Sequence, residues 1–534
     1  MHSTFVLYIG LLLVILLLVM LAQRLKISYP IVLVLGGLAL SLIPGLPDTS
    51  IDPEMIFLLF LPPLLYDAAW NTSWKDFWKW RRVIGSFAFI IILLTSTVIA
   101  VVSHSLIPGF TLALGFLLGG IISPPDAVSA TTVMKTLDVP KRLVTIIEGE
   151  SLMNDASSLI VYRFALVAVL TGSFTFQEAA VSFFVVIIMG IATGLAVALV
   201  FYAIHRWMPT TASIDTVLTF VAPYVMYIVA EELHFSGVLA VVSGGLFMSS
   251  RQQSILSHLS RLQGINVWAT VGFVLNGIVF MLIGLELPVI VNQLEESSLM
   301  QAIWYGVVIS VVVIITRVLC ALGASVFTIF ISRFIKTADS SPGWKMPFAF
   351  GWTGMRGVVS LAAALSIPIM AGGQPFPQRN MILFITFVVI LVTLVLQGLT
   401  LPWVIRKLQL KETDYKMSDV EQEVLIRKKL SYTALQLLDN EYKIDVEENE
   451  LLRQLRATLE NDYTFLESYA ATHATDGNRR NAIMRYRTVF NELIGGQREM
   501  LKKLNHKEEF NEELIRKHFS LLDLAEEKVT RQYE

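Results

Sequence analysis

The sequence predicts an all-α polytopic membrane protein followed by a helical tail that lies outside the lipid. Three observations carry this. Of the 534 residues, 54% are hydrophobic and only 16% charged, where soluble globular chains carry about a quarter charged residues; mean hydropathy is +0.64. Long apolar stretches, of the length that reads as a spanning helix, recur between Phe5 and Ile405. Near Lys411 the charged fraction then rises from about a tenth to roughly a third, which the hydrocarbon core does not admit. The chain divides accordingly into a transmembrane domain, 1–410, and a cytoplasmic helical tail, 411–534.

The apolar segments run 4–23, 29–45, 53–71, 83–107, 109–134, 143–171, 178–205, 214–231, 235–250, 265–291, 299–334, 346–371 and 380–405. That is about thirteen spans, most of them near the roughly 20 residues needed to cross the bilayer core. The first is longer than a signal-peptide core, is followed by Arg24 and Lys26, and has no small-residue cleavage pattern, so it is read as a span. An odd count puts the termini on opposite sides.

Cytoplasmic loops carry an excess of Lys and Arg, so every second connection should be basic. The odd-numbered connections carry Arg24/Lys26, Lys75/Lys79/Arg81/Arg82, Lys135/Lys141/Arg142, Arg206, Arg251/Arg261 and Arg333/Lys336/Lys345. The even-numbered ones are bare or acidic, with Asp48, Asp52, Glu231, Glu232, Glu295 and Glu296; only Arg379 is out of place. This places the N-terminus outside and the C-terminus in the cytoplasm of a multi-pass protein. In the tail, apolar residues recur at helical spacing, as in Leu451, Leu452, Leu455 and Leu459, with Gly495-Gly496 read as a break between helices.

Composition also excludes classes. A net charge of −2 gives no basic field for nucleic acid. The single cysteine, Cys320, lies in an apolar run and supports neither a disulfide framework nor a cysteine-rich metal site. No phosphate-cradling glycine loop is found, and no cofactor is expected.

Ionisable residues inside spans are costly and mark pathways, pairs or relays. They are Asp67, Asp126, Glu148, Glu150, Asp155, Arg163, Glu286, Arg317 and Arg356. The fifth span carries Pro124-Pro125 near its midpoint, directly before Asp126. Two prolines remove backbone donors and break a helix, and carbonyls freed at membrane depth are tolerated only against protein or a polar cavity. The twelfth span is interrupted by Gly351-Trp352-Thr353-Gly354-Met355-Arg356-Gly357. Broken helices in corresponding positions of two oppositely oriented halves are the sequence sign of a secondary transporter's midplane site. On the sixth span, three- and four-residue spacing puts Glu150, Ser151, Asn154 and Asp155 on one face. A desolvated carboxylate there takes a proton unless a cation compensates its charge, so proton and cation compete for one site. A salt bridge to Arg317 or Arg356 accounts for one carboxylate of the group but not for the rest.

GESLMND at 149–155, SPPDAV at 123–128, LPPLLYDA at 61–68, TRVL at 316–319 and GMRG at 354–357 together resemble the sodium/proton exchangers of the monovalent cation:proton antiporter 1 family, bacterial type. The likeness covers the whole membrane domain, and Glu-Ser-x-x-Asn-Asp is its specific part. It implies a sodium/proton antiporter fold of inverted repeats with broken helices 5 and 12. A dimerisation layer would carry a moving core of the third to sixth and tenth to thirteenth spans. It implies that Asp155 alternately binds cation and proton, and that Na+ sits at Asp126, Ser151 and Asp155 with the main-chain carbonyl of Pro125. Asn154 stands where electrogenic relatives have a second aspartate, which implies electroneutral one-for-one exchange. Glu150 and Arg317 match the family's ion pair that holds Asn154 and the sixth helix; Arg356 matches a second, structural arginine. Asp67 matches a third-span acid of open role. Many relatives have threonine where this chain has Pro125, which leaves the cation preference open. Glu148 and Arg163 stand outside the motif and are read as locally paired, and Glu286 as an interfacial acid.

The expected function is therefore not enzymatic: antiport of Na+ or Li+ against H+ by a homodimer in the plasma membrane of a bacterial cell, for sodium and pH homeostasis. The rival readings are a K+/H+ antiporter of the same mechanism, a cation channel gated by the tail, and an intramembrane hydrolase using Ser151. The last lacks a histidine in the polar cluster, since His104, His205, His234 and His258 lie near span ends.

Overall fold

The fold was obtained as a computed structural model. It describes residues 2–43, 53–135, 137, 139–172, 176–292, 294, 299–334, 339, 343–371, 373–410, 412, 417, 419–471, 476–505, 507, 509 and 511–532. Asp48, Asp52, Glu295, Glu296 and Lys336, used in the loop reading, lie outside the described residues, as does the tail boundary at Lys411. Two units separate, Met1–Asp414 and Tyr415–Glu534.

Lipid offers a backbone no hydrogen-bond partner, so the apolar segments satisfy themselves as helices. In order these are α1 (His2–Leu25), α2 (Tyr29–Ser41), α3 (Pro53–Asn71), α4 (Trp74–Gly85), α5 (Ile92–Leu106), α6 (Leu112–Ile122), α7 (Ala127–Met134), α8 (Lys141–Thr171), α9 (Phe176–Trp207) and α10 (Ala212–Glu232). There follow α11 (Gly237–Ile255), α12 (His258–Leu285), α13 (Leu287–Asn292), α14 (Leu299–Ile331), α15 (Lys345–Trp352), α16 (Val358–Leu365), α17 (Arg379–Val392) and α18 (Gly398–Leu408). Eight helical spans among the described residues, the broken Leu112–Met134 included, are long and apolar enough to cross a membrane. Hydroxyl caps start several of them: Thr111, Thr211, Ser236 and Ser257 accept from the amides of Leu114, Ile214, Leu239 and Ser260 at 3.1–3.4 Å.

Two features depart from the sequence reading. The basic stretch from Lys75 to Arg82 is not a loop but α4, capped by Ser73. Its tryptophans take cations on their faces, Arg81 over Trp78 at 4.5 Å and Arg142 over Trp80 at 4.2 Å. The out-of-place Arg379 caps α16 from beyond its end, donating to the carbonyls of Ile367 (2.9 Å) and Leu365 (3.3 Å). A cation at a helix C-terminus is favourable whichever side of the membrane it faces.

The membrane unit forms two bundles. One holds α1–α3 and α9–α12; the other holds α4–α8 and α14–α18. This corrects the expected core: the third and tenth spans, α3 and α12, pack chiefly on α11 and α2. Glycines decide it. A Cβ on Gly37 of α2 would stand 2.4 Å from the Met281 carbonyl, and one on Gly284 of α12 would stand 2.2 Å from the Val34 carbonyl. Small residues let helix backbones touch where lipid gives no hydrophobic drive to association.

In the second unit α19 (Asp419–Glu441) lies along α21 (Glu450–Ala471), joined by Lys428–Glu467 (2.9 Å) and Arg456–Asp439 (2.8 Å). The short α20 (Lys443–Glu448) links them. Hydrogen bonds from Lys428 and Arg456 hold the Glu467 and Asp439 carboxyls below their usual values. α22 (Asp476–Asn505) pairs with α23 (Glu512–Gln532). α22 runs unbroken through Gly495-Gly496, contrary to the expected break. A glycine costs a helix only about 1 kcal/mol against alanine, and Arg498, which pairs with Asp523 and Glu526, ties that stretch to α23.

Candidate functional site

The fifth and twelfth spans are each broken near the middle, between α6 and α7 and between α15 and α16, and the two breaks touch. The Asp126 amide donates to the Met355 carbonyl across the crossing at 2.7 Å. Both orphaned helix ends in the fifth span meet an opposite charge. Arg356, fully buried, aims its guanidinium at the carbonyl end of α6, donating to Ile122 (2.9 Å) and Ser123 (3.4 Å), and to Gly354 within its own break. Asp126 caps the amide end of α7, accepting from the amides of Val128 (3.0 Å) and Ser129 (3.2 Å) and from the Ser129 hydroxyl (2.6 Å).

The sixth span, α8, reads this crossing with one face. Asn154 donates through Nδ2 to the Pro125 carbonyl at 3.0 Å, and Ser151 accepts the Ala127 amide at 3.2 Å. Glu150 and Arg317 form two parallel hydrogen bonds of 2.8 and 2.7 Å at 0% and 2% exposure. The Phe350 ring lies 5.0 Å under the guanidinium. This bidentate geometry is what a buried carboxylate and guanidinium need to offset their desolvation.

Asp155 differs from its neighbours. Its carboxylate lies at the wall of a cavity of about 600 Å³ and takes no hydrogen bond from the protein among the described residues. Pro125, Asp126 and Ser151 line the same cavity, as do Asp67, Glu148 and the exposed Asn71 and Lys135, which mark its mouth. Asp126 is already held by three donors, whereas the Asp155 charge must be met by something that enters. The site thus offers two carboxylates, a hydroxyl and a main-chain carbonyl, a hard-oxygen set suited to a small cation.

The structure brings together Pro125, Asp126, Ser151, Asn154 and Asp155. Glu150, Arg317 and Arg356 stand behind them and do not line the cavity. Glu286, read as an interfacial acid, is buried as the C-cap of α12. Arg163 is paired, but 68 residues away rather than locally, with Glu231 of α10 at 2.6 Å.

Three residues take supporting roles that the sequence reading did not assign. Ser157 donates to the Ala88 carbonyl, freed where the fourth span winds as a π-helix over Ser86–Ile91. Thr393, in the π-helical stretch Thr393–Gln397, accepts the Arg356 amide at 3.1 Å. Gly357 has no room for a side chain, since a Cβ would stand 2.7 Å from Asp126 Oδ2. A lone hydroxyl in an apolar helix commonly bonds its own preceding turn, so nothing in the sequence marks Ser157 or Thr393. Gly357 was visible only as part of the break.

The family described as "Sodium/hydrogen exchanger, transmembrane" matches residues 10–407. The chain belongs to this family. A "Sodium, potassium, lithium and rubidium/H(+) antiporter" of Bacillus pumilus is 32% identical over 451 residues, covering 82% of this chain and 65% of that one. An uncharacterized Na+/H+ exchanger of Mycobacterium bovis is 30% identical over 513 residues, covering 95% and 92%. Among solved structures, the sodium proton antiporter MjNhaP1 from Methanocaldococcus jannaschii has the same fold. It matches with a TM-score of 0.59 at 19% identity, covering 76% of this chain and 99% of that one. The chain thus shares its all-helical membrane fold with a solved sodium proton antiporter, and as a member of the exchanger family it is a transporter.

Proposed function

We propose that this exchanger is a secondary active antiporter that moves Na+, or Li+, against H+ with one-for-one, electroneutral stoichiometry. The observation that carries the reading is Asp155: a membrane-buried carboxylate, without a protein hydrogen bond, facing a cavity beside the broken fifth helix. An unpaired carboxylate in a low-dielectric site must be neutralised, and a proton and a desolvated cation are the two agents that can do so. Occupancy by either excludes the other. When the bundle of α4–α8 and α14–α18 shifts against the other between two accessible states, a loaded site crosses in either form, while an empty, charged one does not. Exchange follows from that restriction without ATP.

Asp126, Ser151 and the Pro125 carbonyl would complete the cation's oxygen shell. Asn154, Glu150, Arg317 and Arg356 hold those oxygens in place. In this reading the chain crosses the bacterial plasma membrane thirteen times, with the N-terminus outside and the tail in the cytoplasm. It works as a homodimer in sodium and pH homeostasis, and the cavity opens to the cytoplasm beside the basic Lys135.

Two observations favour K+ as a second substrate: Pro125 lacks the side-chain hydroxyl of a threonine, and the Bacillus pumilus relative is named for potassium as well. The experiment is proton movement in everted membrane vesicles after pulses of Na+, Li+ or K+. Alkalinisation of the lumen by Na+ and Li+ is expected; a response to K+ alone rejects the sodium assignment. Currents without coupled proton movement reject antiport in favour of a channel.

A further inference from the structure

We propose that the ion pair between Arg163 and Glu231 is the latch that closes the transport site on the side away from the cavity mouth, and that it opens once in each transport cycle. This rests on the alternating-access reading above. Arg163 lies on α8 two turns past Asp155, in the direction opposite to Glu148 and the mouth. Glu231 lies in the last turn of α10. The two helices belong to different bundles, so the 2.6 Å contact spans the boundary along which the bundles must slide.

The acceptor is fixed to its own bundle. Glu231 uses Oε2 for Arg163 and Oε1 for the Gly237 amide, at 3.1 Å. Gly237 opens α11, and a Cβ there would stand 2.7 Å from the Tyr227 ring. Glycine therefore lets α11 start close against α10 and present its amide to Glu231. Arg163 is thereby tied to both α10 and α11. At the cavity wall the same two bundles also meet through the apolar cluster of Phe60, Val279 and Ala362, from α3, α12 and α16. Apolar contact seals against water but does not choose a state by itself; a charge pair at the rim does.

Strength also fits a latch. Glu150–Arg317 lies within one bundle at 0% and 2% side-chain exposure and is built to stay closed. Arg163 and Glu231 are 47% and 30% exposed. A pair that is only partly buried is weaker than one sealed inside a bundle, and so can break on the way to the other state. Its removal should change the ratio of the two states about two- to fivefold.

The test uses the full-length protein in oriented vesicles, with Cys320→Ala to remove the chain's one thiol. A cysteine at Leu159, one turn past Asp155 toward the latch, is labelled with a membrane-impermeant maleimide from the side opposite the cavity mouth. Arg163→Gln and Glu231→Gln should each raise the labelling rate about two- to fivefold. The double variant should exceed neither, and the swap Arg163→Glu with Glu231→Arg should return it toward the parent. In a second arm, Arg163→Cys and Glu231→Cys are joined by a thiol-cleavable bifunctional reagent; cation/proton exchange should stop and return on reduction.

Unchanged labelling in both single variants, additive effects in the double, or full exchange by the crosslinked protein overturns the latch. If the Cys320→Ala parent exchanges no cation for protons, the antiport reading fails. The labelling arm still decides the latch, because it needs no transport.

Discussion

The Pro125 carbonyl accepts a hydrogen bond from the side-chain amide of Asn154, at 3.0 Å. One residue of the sixth span thereby holds the backbone of the broken fifth, and the residue after it, Asp155, faces the cavity. Asn154 thus acts as a neutral strut where a carboxylate would add a second titratable charge. Asn154→Asp should convert the exchange into one that responds to membrane potential, measured in proteoliposomes with an imposed K+ diffusion potential. A wild-type rate that itself follows the potential contradicts electroneutral exchange.

Asp155→Asn should reduce cation/proton exchange to background while leaving expression and detergent behaviour unchanged, because the amide keeps the shape and loses the charge that ion and proton share. Full exchange by this variant in proteoliposomes removes the basis of the proposed mechanism.

Competition at one carboxylate gives pH a defined sign. Below the pH at which the site releases its proton, the apparent KM for Na+ should rise about tenfold for each unit by which the pH falls, with the maximal rate at saturating Na+ unchanged, since each proton excludes one ion. Initial rates at several Na+ concentrations between pH 6 and about 9 measure this. A pH effect confined to the maximal rate points to regulation elsewhere in the protein.

Glu150→Gln or Arg317→Gln leaves one charge buried with no counter-charge, a loss of about 3–5 kcal/mol in measured buried pairs. Both variants should show a marked fall in apparent melting temperature in detergent. Arg317→Lys should restore little, because an ammonium cannot make the two parallel bonds to Glu150.

Gly357→Ala places a methyl 2.7 Å from Asp126 Oδ2 and 2.8 Å from its Cβ. Asp126 must then leave the α7 amides or the two breaks must part. Exchange should fall to background, whereas Gly264→Ala on α12, where nothing lies within 4 Å of the added methyl, should transport as wild type.

Much of the site was legible because lipid penalises every polar group it surrounds. The acids and arginines inside the spans stood out against an apolar background, and the spacing of Glu150, Ser151, Asn154 and Asp155 placed them on one face before any packing was known. The partners were not legible. Arg163 was read as locally paired, yet its partner is Glu231 in the other bundle. Ser157 and Thr393 gave no signal, because their roles depend on π-helical turns and on neighbours that arrive from distant spans.

The two proline pairs show where the division falls. Pro62-Pro63 lies in α3, which runs through it unbroken, while Pro124-Pro125 opens the fifth span. The dipeptide is the same; the difference lies in what meets the backbone. At the second pair Arg356, Asn154 and Met355, from other spans, bind the carbonyls and amide that a break exposes. By itself the sequence determined the membrane-spanning helices, the charged tail and the identity of the polar face, because hydropathy and helical period are local. Only the tertiary structure decided which proline pair breaks, which bundle α3 and α12 join, and which charges face one another. Those outcomes depend on close backbone contact and on partners more than a hundred residues apart, such as Glu150 and Arg317.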